Sequence, residues 1–198
     1  MFGGTEGPTT DRDLVDILTA DHAEVESLFA DIEAVGRSPQ DRRRLLDVAI
    51  AELVRHAVAE EEYLYPTARE VFSDGEALAD RELGEHAEME RLMKRLESME
   101  PEHVEFEQLL AELMATVREH VRDEERTLFP RLREACSHQQ LGRLAGAAEM
   151  AKTSAPTRPH PSAPDTPPWN MLLAPGAGLI DRVRDAISSR PTSRDDLS

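Results

Sequence analysis

One short pattern occurs twice in this chain and constrains its fold more than any other feature. Residues 56–66 and 120–130 each read His-x-x-x-Glu-Glu and end in Leu, an aromatic residue and Pro. A further His stands 34 residues before each stretch, and every matched position lies 64 residues after its counterpart. The sequence therefore contains an internal repeat. Its polar positions are His22, His56 and Glu60 in the first copy and His86, His120 and Glu124 in the second.

Both stretches are expected to be helical, because neither contains a helix breaker before its proline. Residues i and i+4 share a helix face, so each pair directs an imidazole and a carboxylate the same way. Apolar residues recur at spacings of three and four through four long segments, and every repeated His and Glu falls on an apolar stripe. We expect helices ending near residue 35, spanning 39–72 with a kink at Pro66, spanning 76–99, and opening at Pro101.

These segments predict an all-α protein, an up-down-up-down four-helix bundle with an internal two-fold repeat. The bundle is assigned to residues 1–152, with a possible fifth helix over 138–152. Residues 153–178 are rich in proline and are expected to be a linker without a packed core. Residues 179–198 are expected to form a short amphipathic helix and tail. The apolar face of that helix could dock on the bundle, on a second subunit, or on neither; it comprises Leu179, Ile180, Val183 and Ile187.

The charge of the chain limits its partners. The formal net charge is −17, and all of it falls within residues 1–152, which argues against a nucleic-acid-binding surface. Cys136 is the single cysteine, so the chain forms no internal disulfide and no zinc–thiolate site. Neither a signal peptide nor an apolar run of membrane-spanning length is visible in the sequence. We therefore expect a cytoplasmic protein without a membrane association.

The four histidines and two glutamates of the repeat are expected to meet inside the bundle as metal ligands. Burying them without partners would cost several kcal/mol per charge. The alternative is that each is a core residue bonded to a neighbour, but stability alone does not require two matched sets. Imidazole and carboxylate without thiolate suit iron, manganese or zinc. Six ligands can hold one octahedral ion, or two ions bridged by carboxylates; we favour two irons over a structural zinc.

Residues of about 11–135 resemble the hemerythrin-like proteins, also called the HHE cation-binding domain. The resemblance rests on His22, the His56–Glu60 pair, His86, the His120–Glu124 pair, and the Leu-aromatic-Pro endings. It implies a non-haem di-iron centre in the bundle core, bridged by the two glutamates and an oxo or hydroxo group. Members of this family bind oxygen, react with peroxide or nitric oxide, or sense oxygen or iron.

The chain departs from the oxygen-carrying members of that family. Those members have another His in the third helix, four residues from its neighbour, whereas Glu82 and Glu90 stand four residues from His86 here. Their last motif is His-x-x-x-x-Asp, in place of the pair that ends at Glu124. Fewer His ligands leave more positions for solvent or substrate. The departures favour catalase- or peroxidase-like redox chemistry with peroxide or nitric oxide over reversible oxygen binding.

Tyr63 breaks the symmetry of the repeat, because its counterpart is Thr127. It lies three residues after Glu60 and shares its helix face, so it could supply a further ligand or donate a hydrogen bond to a bound oxygen species. The alternative is a buried tyrosine whose hydroxyl bonds the backbone.

The expected partner of the site is a small molecule such as oxygen, peroxide or nitric oxide. A second possible function is an oxygen- or iron-sensing module without turnover, signalling through a protein partner or self-association at the C-terminal tail.

Overall fold

The computed structural model describes residues 12–160 and 169–197, all of them in helices, turns or irregular segments and none in a strand. No helix in these two ranges has the length and hydropathy needed to cross a membrane. The helices are α1 (Leu14–Glu33), α2 (Pro39–Ala59), α3 (Tyr65–Val71), α4 (Gly75–Glu97), α5 (Phe106–Asp123), α6 (Phe129–Ala135), α7 (His138–Ser154) and α8 (Trp169–Ser188), followed by a 3₁₀ turn at Arg194–Leu197.

Four rods form the bundle: α1, α2 continued by α3, α4, and α5 continued by α6. One apolar cluster joins the end of α1 to the start of α2, the end of α4 and the start of α5. The second cluster joins the opposite ends of the same rods. Consecutive rods therefore run in opposite directions, which confirms the predicted up-down-up-down bundle. The four histidines and Glu124 fall in sequence between residues of the two clusters, and Glu60 directly follows Ala59 of the second cluster, so the polar cluster lies in the middle of the core.

The prolines of the repeat widen the helices that precede them. A π-turn at Glu60–Leu64 links α2 to α3, and another at Glu124–Leu128 links α5 to α6. The backbone N–H of Tyr65 donates to the carbonyl of Glu60, five residues back, and Phe129 donates to Glu124 in the same way. Pro66 and Pro130 lack the N–H of an α-helical bond, and one extra residue per turn accommodates them. A wider turn therefore precedes each proline, and the kink expected at Pro66 stays a prediction.

The start of α5 and the end of α7 differ from the predicted helix boundaries. Helix α5 begins at Phe106 and not at Pro101, because residues 101–105 form hydrogen-bonded turns, one of them closed by the N–H of Phe106 on His103. The expected fifth helix is α7, which Ser137 and Gln140 cap reciprocally and which ends at Ser154.

The segment expected to be a linker is partly packed. Residues 161–168 lie outside the described residues, but Ala155, Thr157 and Arg158 are at most 9% exposed. Helix α8 begins at Trp169, ten residues before the predicted start. Helix α8 packs closely on the end of α7 at Gly178, where a Cβ would lie 2.2 Å from the carbonyl oxygen of Ser154.

Candidate metal centre

The structure brings together all six polar residues of the repeat. Each of them is at most 6% exposed. They come from four rods and lie between the two apolar clusters, where water is excluded and electrostatic interactions are strong. The six are His22 from α1, His56 and Glu60 from α2 and its π-turn, His86 from α4, and His120 and Glu124 from α5 and its π-turn.

The first half of the cluster pairs His22 with His56. Their Nε2 atoms lie 3.1 Å apart. Glu60 places Oε1 3.1 Å from the Nε2 of His56, and Glu124 places Oε2 3.5 Å from the Nε2 of His22. Ligand atoms of these four residues all lie within 4.8 Å of one another, which is compatible with a single bound ion.

The second half repeats this arrangement with His86 and His120, whose Nε2 atoms lie 3.3 Å apart. The other oxygen of Glu60, Oε2, lies 3.2 Å from the Nε2 of His86. The Oε2 of Glu124 lies 3.6 Å from the Nε2 of His120. Glu60 thus presents one oxygen to each His pair, and one oxygen of Glu124 lies between the two pairs.

Every histidine of the cluster is held from outside by a carboxylate on its Nδ1. The acceptors of His22 and His86 are Glu125 and Glu61, each at 2.9 Å. The remaining two pairs are His56 with Asp21 at 3.3 Å and His120 with Glu85 at 2.9 Å. These bonds assign the proton of each neutral ring to Nδ1 and leave the Nε2 lone pair directed into the cluster, which is the arrangement of a metal-ligating histidine.

Two carboxylate oxygens in the cluster have no hydrogen-bond partner among the described residues. Glu60 Oε1 and Glu124 Oε2 are buried without one, although imidazole nitrogens surround them at 3.1–3.6 Å. A buried carboxylate oxygen without a partner is costly, and a cation between it and the imidazoles would satisfy it. The donor set and the orphaned oxygens therefore fit a metal ion in each half.

Burial and neighbouring charges shift the pKa of His56 and the pKa of Glu60 in opposite directions. Burial alone would lower the pKa of His56, but the carboxylates of Glu60 and Asp21 raise it to about 10. Burial would raise the pKa of Glu60, yet the charges of His56 and His86 hold it well below its usual range. Without a metal, His56 is therefore an imidazolium beside the carboxylate of Glu60, and a metal that binds His56 must displace a proton.

Glu82 adds a third carboxylate to one half only. It is 1% exposed, its Oε2 lies 3.4 Å from the Nδ1 of His120, and that oxygen has no hydrogen-bond partner. Burial raises the pKa of Glu82. Its counterpart in the repeat is Leu18, which is fully buried in the second apolar cluster. Glu82, His120 and Glu124 offer ligand atoms within 4.8 Å of one another, so a third carboxylate is available beside His120.

Tyr65, and not Tyr63, enters the cluster. Its hydroxyl lies 2.8 Å from the Nε2 of His86, 3.2 Å from Glu124 Oε1 and 3.4 Å from Glu60 Oε2. Tyr63 is partly buried at the edge of the second apolar cluster, and its hydroxyl pairs with Glu62. In a regular α-helix, residue 63 would lie on the same face as Glu60. In the π-turn the chain returns to that face five residues later, at Tyr65. Pro66, directly after Tyr65, was the sequence signal that could have predicted this wider turn.

Comparisons with known proteins show which sequences and folds this chain is similar to. Residues 13–132 match the sequence model of the hemerythrin HHE cation binding domain. An uncharacterized hemerythrin-like protein of Schizosaccharomyces pombe is 28% identical over 177 residues, covering 89% of this chain and 87% of that protein. A DNA nickase of Nostoc is 32% identical over 144 residues, but the match spans 72% of this chain and only 40% of that protein.

A solved structure has the same fold. The hemerythrin HHE cation binding domain-containing protein of Mycobacterium kansasii superposes with a TM-score of 0.61 at 21% identity, covering 72% of this chain and 89% of that one.

Proposed function

This chain belongs to the hemerythrin HHE cation-binding domain family, and from that premise we propose that it is a two-iron redox protein acting on peroxide, nitric oxide or oxygen. The observation that carries the proposal is the placement of Glu60, whose two oxygens face His56 and His86 at 3.1 and 3.2 Å. A carboxylate in that position is arranged to bridge two ions.

In this proposal each half of the cluster holds one ion. His22 and His56 would be the nitrogen ligands of one ion, and His86 and His120 would be those of the other. Glu60 and Glu124 would supply carboxylate oxygens to both, and Glu82 would be an additional oxygen donor on the side of His120. A mixed set of imidazole and carboxylate ligands suits iron better than it suits a structural zinc, which is usually four-coordinate. Manganese is the next candidate.

The protein supplies a buried pocket and one movable proton, that of the Tyr65 hydroxyl. Two ions in this pocket would supply one- and two-electron redox chemistry. The Tyr65 hydroxyl lies 2.8 Å from the Nε2 of His86 and within 3.4 Å of the carboxylates of Glu60 and Glu124, so it is placed to hold or donate a proton at this side of the cluster. Burial raises the pKa of Tyr65 well above its usual range, which keeps the hydroxyl protonated. The carboxylates on Nδ1 keep the four rings oriented.

The direct test is turnover by the iron-loaded protein. We expect oxygen release from peroxide or consumption of nitric oxide, and we expect His120→Ala to lose both the activity and part of the iron. His103→Ala is the matched control, because His103 is exposed and far from the cluster in sequence. Loaded protein that leaves both substrates unchanged would contradict the redox function while leaving the metal site intact.

A sensing module is the second candidate, and a contact with α7 favours it. Lys152 of α7 lies 2.5 Å from the carboxylate of Asp21, which accepts the Nδ1 bond of His56. A change at the cluster would therefore reach the C-terminal region through two polar contacts. Hydrogen exchange of α7 and α8 with and without the bound small molecule tests this function, since a sensor must change protection there and a catalyst need not.

The DNA-nicking activity named for the Nostoc relative is not part of this proposal. The formal charge of −17 repels phosphate, and the match spans 40% of that relative.

A further inference from the structure

Helix α7 lies beyond residues 13–132, which match the family model, and it packs on α1, α2 and the first π-turn, all of which carry residues of the metal cluster. Its buried residues Leu141, Ala145 and Ala148 recur at spacings of four and three, so they form one inner stripe. Lys152 follows Ala148 by four residues and continues that stripe. The inner face of α7 therefore ends in a positive charge directed at the bundle.

Lys152 binds Asp21, a residue of α1 that in turn contacts the cluster. Its Nζ lies 2.5 Å from Asp21 Oδ1, and each of the two side chains is 18% exposed. The other oxygen of Asp21 accepts from the Nδ1 of His56 at 3.3 Å. That bond is longer than the three other carboxylate bonds to histidines of the cluster, which are all 2.9 Å. The ammonium and the imidazole therefore share one carboxylate.

The equivalent carboxylate of the second repeat is bound to a cation less closely. Glu85 is the counterpart of Asp21 and lies 2.9 Å from the Nδ1 of His120. The Nε of Arg81 is 3.8 Å from Glu85, and the Arg81 side chain is 57% exposed. Solvent screens an exposed pair of this kind more than it screens the pair of Lys152 with Asp21. The two halves of the cluster thus differ in the cation behind the histidine.

We propose that Lys152 is a positioning residue that sets the reduction potential of the ion bound by His22 and His56, an inference that rests on the proposed two-iron function. Its charge acts in two ways, and both have the same sign. Lys152 draws charge from the carboxylate of Asp21, so the ring of His56 donates less to the ion. It also places a positive charge near the site, which opposes the ferric ion more than the ferrous ion. Lys152 therefore favours the reduced ion in this half.

The alternative role of Lys152 is to fasten α7 to the bundle. That helix already packs into the second apolar cluster through Leu141 and Ala148. An ion pair with partly exposed partners adds little to stability. Neutralising Lys152 should therefore leave the helix in place, and a reduction potential separates the two roles because fastening alone would not change it.

Redox titration of the iron-loaded full chain, followed by visible absorption, tests the role of Lys152. In Lys152→Met the ratio of ferric to ferrous affinity of one ion should rise about tenfold, which lowers its potential by about 59 mV for a one-electron couple. Lys152→Gln keeps a hydrogen-bond donor without the charge and should lower the potential as well, whereas Lys152→Arg should keep the wild-type value. Arg143→Met is the matched control, because it removes one charge from the exposed face of the same helix and should change nothing.

The iron content of the same samples separates a failure of this inference from a failure of the two-iron function. Two bound irons with equal potentials in wild type and Lys152→Met would overturn the inference and leave the two-iron function intact. An equal shift in Lys152→Met and Arg143→Met would overturn it too, since net charge and not the contact with Asp21 would then be the cause. A wild-type chain that takes up no iron would overturn both.

Discussion

Tyr65 and Phe129 occupy equivalent positions in the repeat and make different contacts. The Tyr65 hydroxyl bonds His86 and Glu124, whereas the Phe129 ring stacks on His22 at 5.5 Å with an interplanar angle of 8°. Of these two equivalent aromatic residues, Tyr65 thus places a hydroxyl beside His86, and Phe129 places an apolar ring beside His22. Together with Glu82, this hydroxyl makes the two halves chemically different even though their histidines are arranged alike.

The first prediction concerns this hydroxyl. Tyr65→Phe should change the near-ultraviolet and visible absorption of the iron-loaded protein and its reactivity, because the group bonds ligands of both halves. Tyr63→Phe is the matched control and should change neither, since that hydroxyl pairs with Glu62. Absorption spectra of the two variants at equal iron content decide the matter. If Tyr63→Phe altered the spectrum and Tyr65→Phe did not, the result would contradict the placement of Tyr65 at the centre.

The second prediction concerns Glu82. Glu82→Leu restores the symmetry of the repeat and should weaken binding of one of the two metals by about 10- to 100-fold. The metal-free variant should be more stable by about 1–3 kcal/mol, because a buried carboxylate with an orphaned oxygen is removed. Chelator competition and urea unfolding measure the two effects. Glu88→Leu, an exposed change on the same helix, is the control. Equal metal affinity in both variants would remove Glu82 from the site.

The sequence was sufficient to predict that the six repeated residues meet in the core, because residues i and i+4 share a face in any regular helix. It did not find Asp21 and Glu85, which precede His22 and His86 and reach the histidine of the next rod. Their role depends on helix packing and leaves no pattern in one helix. Tyr65 was missed because the helical period was taken as constant through the motif.

At the scale of the elements, the π-turns connect the prolines to the site. Each turn adds one residue to the helix directly after a glutamate of the cluster, which rotates the aromatic residue before Pro66 or Pro130 into the core. Helix α4 then packs on α3, with Gly75 at the contact. The helices could be predicted from the spacing of their apolar residues. The π-turns could not, because they result from the backbone hydrogen bond that each proline cannot donate.

The third prediction tests the contact between α3 and α4. A Cβ at Gly75 would lie 2.2 Å from the carbonyl oxygen of Ala68, so Gly75→Ala should lower the free energy of unfolding by about 2 kcal/mol or more. Gly84 has open space around it in the same helix, and Gly84→Ala should raise that energy by about 1 kcal/mol. Urea denaturation of both variants provides the comparison. Similar effects of the same sign would contradict the packing.

At the scale of the whole molecule, the C-terminal region is bound to the bundle by ion pairs. Arg190 lies within 3.1 Å of Asp47 in α2, and Arg194 pairs with Glu24 and Asp31 in α1. The frequent prolines of residues 153–178 predicted a linker. Composition alone does not show that Asp181 and Asp185 of α8, both buried, bind Thr157 and Arg158 of that segment. Contacts this distant in sequence have no local signal.

The fourth prediction is a pH dependence of that docking. The hydrogen bond to Asp181 raises the pKa of His160, against burial and nearby Lys94, and Glu90 adds to the rise. A raised folded-state pKa means that the pair stabilises fully below the unfolded pKa of about 6.5 and that this stability is lost as pH rises through the folded pKa. The difference in free energy of unfolding between wild type and His160→Gln should therefore be large near pH 6 and vanish in alkali. A difference that does not vary with pH would contradict the pairing.

The iron content of protein purified without chelator tests the central claim most directly. About two irons per chain, falling in His120→Ala and unchanged in His103→Ala, is the result that the paired geometry of the cluster predicts. One zinc per chain, or a metal-free chain with the same helical content and stability, would contradict it. The six buried residues would then be a hydrogen-bonded core and not a pair of metal sites.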